Sequence, residues 1–60
     1  MRFVMEVDLS PMADGREADE LSRILRYWAG AVKQVGIKPG TSQAVFDSEY
    51  TEVGSWEIEE

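Results

Sequence analysis

The sequence predicts a two-layer α+β domain, β-α-β-β, with a three-stranded antiparallel sheet in the order 1-3-2 and one helix packed on one face. Three observations predict it. Residues 2–9 alternate between apolar and mostly polar side chains, the period of a strand with one buried face. Residues 17–35 repeat apolar side chains at helical spacing. Two further short alternating runs, 42–47 and 52–59, are joined by a tight connection, which reads as a hairpin. Placing the last strand between the other two makes every neighbour antiparallel. The alternative sets the first strand beside the second in parallel. At sixty residues the chain is one domain, 1–60.

In the first strand Phe3, Met5, Val7 and Leu9 share one side, and Arg2, Val4, Glu6 and Asp8 the other. Ser10-Pro11 ends it. The helix follows over about Glu17–Val35, with Ala18, Leu21, Leu25, Trp28, Val32 and Val35 spaced three and four apart. Ile24, Ala31 and Ala29 widen that stripe. Asp14 is the expected N-cap, with Glu17 reaching back to it in a capping box; Ser10 with Pro11 at N1 is the other possible start. Gly36 is the expected C′ residue, with Ile37 against Val32 in a Schellman motif and Pro39 forbidding continuation. Gly30 costs roughly 1 kcal/mol relative to alanine inside a helix. It falls on the polar face, as a tolerated glycine or as room for another chain.

In the second strand Ala44 and Phe46 are expected on the inner face, with Gln43 and Val45 on the outer. In the third, Gly54, Trp56 and Ile58 face inward, and Val53, Ser55, Glu57 and Glu59 outward. The expected core is therefore Phe3, Met5, Val7, Leu9, Leu21, Ile24, Leu25, Trp28, Val32, Ile37, Phe46, Trp56 and Ile58. A chain this short is marginal on its own, and without cysteine no disulfide can staple it.

Composition narrows the function. There is no cysteine or histidine, which removes the usual zinc ligands and the usual near-neutral base. No apolar run approaches the roughly 20 residues of a membrane span. The alternating start does not resemble a signal peptide, so a cytoplasmic location is expected. Net charge is −6, and all of the excess lies in residues 39–60, which carry six acidic residues and no basic one. Such a segment repels phosphate and attracts basic surfaces. Direct nucleic-acid binding is not expected.

No catalytic, cofactor-binding or metal-binding residues are predicted. Glu6, Asp8, Glu57 and Glu59 share the outer sheet face, where clustered oxygens would suit Mg²⁺ or Ca²⁺. A solvated acidic face is the expected reading, because no loop shapes a coordination cage. The serines have no histidine or lysine partner for nucleophilic catalysis. The glycines after the helix form no phosphate loop. Trp28 and Trp56 fall on inner faces and read as core rather than as stacking platforms.

Two stretches carry a resemblance. Glu20-Leu21-Ser22-Arg23-Ile24-Leu25-Arg26 in the helix, and Asp47 followed by Val53-Gly54-Ser55-Trp56-Glu57-Ile58, resemble small uncharacterised actinobacterial and phage-type proteins. Those share the β-α-β-β layout, an ELxRILR-like helix and a closing VGxWxI strand. The chain departs from them at the turn, where Ser48-Glu49-Tyr50 replaces a glycine-containing turn. The resemblance implies no activity.

One helix covers only one face of a sheet, so the other face is the expected contact surface. Its candidate residues are Val4, Glu6, Val45, Val53 and Glu57, with Tyr50 in the turn. The expected function is that of a small acidic, non-catalytic interaction protein, not an enzyme. Its partner is another protein or a second copy, through the open sheet face or a strand edge. The alternative is an acidic mimic of nucleic acid that occupies a basic host protein.

Overall fold

The computed structural model describes residues 1–60. Strand β1 spans Arg2–Val7, helix α1 Glu17–Val35, strand β2 Ser42–Phe46 and strand β3 Glu52–Glu59. The sheet order is β1-β3-β2 and both pairings are antiparallel. The fold class, the strand order and the helix bounds are those the sequence predicts.

Opposed residues in an antiparallel pair lie on the same face. Phe3 is opposite Ile58, Met5 opposite Trp56 and Val7 opposite Gly54. This sets the alternating residues of β1 and β3 toward the helix, as their period of two requires. On β2, Val45 is opposite Gly54 and Phe46 opposite Glu52. Val53 is thus the extra residue of a β-bulge.

Against expectation, the register opposite Gly54 turns Val45 inward, and the bulge turns Val53 inward. Val45 and Val53 are 1% and 5% exposed and belong to the core with Met12, Ile24, Trp56 and Ile58. Neither lies on an open face. Phe46, expected inside, is half-exposed. A bulge breaks the period of two locally, so Val53 turns inward beside Gly54 although strict alternation would turn it out. Gly54 itself is fixed by close approach. A Cβ there would overlap the Glu6 carbonyl oxygen and come within 2.9 Å of the Val7 Cα.

The helix shows a second departure. Ile24 is its one fully buried residue, while Leu25 is 50% exposed and Ala18, Ala29 and Val35 are also exposed. Leu21, Trp28 and Ala31 are half-buried, so the sheet-facing line runs Leu21–Ile24–Trp28–Ala31. The expected stripe was centred nearer Leu25. Polar anchors account for the rotation. Glu20 accepts hydrogen bonds from the Ser48 amide (3.1 Å) and the Ser48 hydroxyl (2.8 Å). Arg23 donates to the Phe46 carbonyl at 3.0 Å. Both tie α1 to the β2–β3 hairpin and draw it away from β1.

The caps also differ from expectation. The N-cap is Arg16, with no side-chain hydrogen bond, instead of Asp14. Glu17 does reach back, but to the Gly15 amide at 2.9 Å. At the other end Gly36 has φ 94° and ψ 156°, a region essentially reserved for glycine and not the left-handed helical one. Its N–H still bonds to the Val32 carbonyl at 3.1 Å.

The hairpin turn closes without glycine because Asp47 supplies the acceptor. Its Oδ1 takes the Glu49 and Thr51 amides, each at 2.9 Å, an Asx-type turn. Tyr50 then sits at φ 62°, the left-handed conformation that a glycine would accept without cost.

Candidate functional site: an apolar groove between β1 and α1

Rotation of α1 toward β2 leaves the β1 edge of the sheet only partly covered, with Phe3 half-exposed while Met5 and Val7 still pack against the core. Seven residues line the resulting groove: Phe3 and Met5 from β1, Leu25, Trp28, Ala29 and Val32 from α1, and Ile37 beyond the helix. All seven are apolar. Phe3, Leu25 and Ile37 are each about half exposed, although the sequence reading assigned them to the core. Along the helix the apolar strip continues through Ala18, Leu21, Ser22 and Ala29. The floor of the groove is rigid. The Trp28 and Trp56 rings meet edge to face at 5.3 Å, and Phe3 lies 5.3 Å from Trp56, contacts of the favoured aromatic type.

A smaller apolar patch lies on the β2 side of the helix, where Tyr27, Phe46 and Tyr50 surround Arg23. Tyr50 is 87% exposed and is the one predicted contact residue in this patch.

Of the other predicted contact residues, Val4, Glu6 and Glu57 share the outward face. Val4 is opposite Glu57, and Glu6 opposite Ser55. The structure therefore brings three of the six together, buries Val45 and Val53, and sets Tyr50 apart. The four outer carboxylates do not converge. Arg2 donates to Glu59 through Nε (3.2 Å) and Nη2 (2.7 Å), and Asp8 accepts the Ser10 amide at 2.9 Å. No group of three or more acidic, histidine or cysteine side chains is arranged to hold a metal ion.

One polar depression brings Arg16, Glu20, Asp47, Ser48 and Glu49 together. Its Ser48–Glu20 contact has the outline of a hydroxyl and its base. The Ser48 hydroxyl and amide, however, hold the Glu20 carboxyl below its ordinary range. A more acidic carboxyl is a weaker base, so this contact fastens the helix to the hairpin and does not activate the hydroxyl. At Asp8, the Ser10 backbone N–H followed by its side chain likewise lowers the carboxyl. No helix is long and apolar enough to cross a membrane.

The groove was hidden in the sequence because all of its lining residues except Ala29 fall in the expected core. The available signal was the width of the helical stripe. Leu21, Ile24, Leu25, Trp28, Ala29, Ala31 and Val32 cover more of the helix than three short strands can shelter.

Comparison with known proteins finds no matching family model, no matching curated protein and no matching solved structure.

Proposed function

We propose that the protein is a small, non-catalytic interaction module that contacts its partner through the groove between β1 and α1. The observation that carries this reading is the all-apolar lining of that groove, with Phe3, Leu25 and Ile37 half-exposed. A contiguous exposed apolar patch of this kind marks a contact surface. The outward sheet face is a weaker candidate once Val45 and Val53 are removed from it. The acidic-mimic reading has less to rest on, because Asp19, Glu20 and Glu59 are paired with Arg16, Arg23 and Arg2 within the chain.

Site-specific photocrosslinking tests the reading. A benzophenone side chain at position 25, in the cells that make the protein, should yield a discrete protein adduct. The same group at position 42, on the outward face of β2 opposite Glu57, should not. Adducts at position 42 with none at position 25 would place the contact on the other face and refute the proposal.

A further inference from the structure

Resting on the groove as the contact surface, we infer that its partner is a second copy of this chain, paired antiparallel along the free edge of β1. Three features of the structure support this partner. The first is the direction of the unpaired backbone groups. The Asp8 N–H donates to the Val53 carbonyl at 2.8 Å, and in an antiparallel ladder such groups alternate in direction along the strand. The N–H and C=O groups of Phe3, Met5 and Val7 therefore point away from β3, toward the open edge. An exposed row of this kind is a template for another strand.

The second feature is charge. Pairing about a two-fold axis at Val4 sets Phe3 opposite Met5 of the second copy, and Arg2 opposite Glu6 of the second copy. The Phe3–Met5 pairs use the outward backbone groups, and each Arg2 meets an opposite charge. The same axis runs the two helices antiparallel.

The third feature is area. The groove borders this edge, since Phe3 and Met5 belong to both. Pairing joins two half-covered grooves into one trough on a six-stranded sheet, with a helix on either side. A standard interface takes about 800 Å² from each partner, roughly a fifth of the 4388 Å² surface.

Sedimentation equilibrium on the wild type, Glu6→Arg, and the full reversal Arg2→Glu/Glu6→Arg/Glu59→Arg tests this inference; Glu59 is reversed with Arg2 because the two pair within one chain at 2.7 Å. Within one chain Arg2 and Glu6 lie four residues apart along a strand and do not touch, so compensation between them reads an intermolecular contact. The wild type should show twice the 6.8 kDa chain mass. Glu6→Arg should raise the dissociation constant on the order of tenfold, and the full reversal should restore it. A synthetic chain N-methylated at Met5 should lose dimerisation with its far-UV circular dichroism unchanged. A wild-type monomer at millimolar concentration, or a Glu6→Arg defect that the reversal fails to restore, overturns the dimer. The fluorescent apolar probe ANS then separates the two readings. If the monomer binds ANS and Leu25→Lys abolishes that binding, the groove remains a surface for a different partner. If it binds no ANS, the functional reading falls as well.

Discussion

Ile24 and Leu25 are neighbours in sequence, similar in size, and equally plausible as core residues from helical periodicity. The structure separates them, and replacing each with alanine measures that separation. Ile24 is 2% exposed and Leu25 50%. Truncating a fully buried isoleucine costs about 2–5 kcal/mol, because a cavity remains. Leu25 buries about half of its surface, and full burial is worth about 1.5–3 kcal/mol, so its truncation costs about 0.8–1.5 kcal/mol at most. In a domain of this size 1 kcal/mol shifts the melting temperature by roughly 4–8 °C. Ile24→Ala should therefore lower it by at least about 8 °C and leave little folded protein. Leu25→Ala should lower it by about 3–12 °C. Thermal unfolding followed by circular dichroism, at micromolar concentration or below so that association does not contribute, makes the comparison. Equal losses for the two variants would mean that α1 is not rotated toward β2, and the groove would lose its basis.

Four other outcomes follow from the same structure. Gly54→Ala should abolish the β1–β3 pairing and unfold the chain, because the atoms its Cβ meets are backbone and cannot move aside; a folded variant by circular dichroism would contradict the register. Gly30→Ala should raise stability by about 1 kcal/mol, since a Cβ there meets nothing within 4 Å; urea denaturation reads the gain. Tyr50→Gly should be neutral to stabilising, by up to about 1 kcal/mol, as the left-handed strain of about 1–2 kcal/mol exceeds the added chain entropy of about 0.5–1 kcal/mol; a loss of stability on urea denaturation would show that the Tyr50 ring contributes contacts. Ser48→Ala should return the Glu20 carboxyl toward its ordinary value, read by NMR titration. Because Glu20 is lowered in the folded state, its contribution to stability is present above the ordinary carboxylate range and is lost as pH falls through the folded value. Ser48→Ala should flatten that acid limb of the stability profile.

The parts of the fold that depend on period alone were legible in the sequence. The alternation of residues 2–9 and of residues 54–58, together with the helical spacing across Glu17–Val35, sufficed for element order, helix bounds and strand order. Features set by single tertiary contacts were not legible. The five-residue β2 has no clean alternation, so its facing depends on the Asp47 turn and the bulge at Val53. Strict alternation sets Val53 outside because it assumes an unbroken ladder; taking Ala44 and Phe46 as the inner pair sets Val45 outside, whereas its register opposite Gly54 turns it inward. Met12 lies in a connection without periodicity, yet it is buried against the core. The rotation of α1 depends on Glu20 meeting Ser48 and Arg23 meeting the Phe46 carbonyl, pairs 28 and 23 residues apart in the chain. Neither pairing leaves a local sequence signal. The groove is therefore visible only in the tertiary structure, although every residue lining it is apolar.

On the proposed reading, the adhesive surface is the β1–α1 groove and not the outward sheet face. Residue-resolved NMR during titration with ANS at low protein concentration tests that most directly. Shifts concentrated at Phe3, Met5, Leu25, Ala29, Val32 and Ile37 are the predicted result. Shifts centred on Val4, Ser55 and Glu57, or none at any residue, would contradict it.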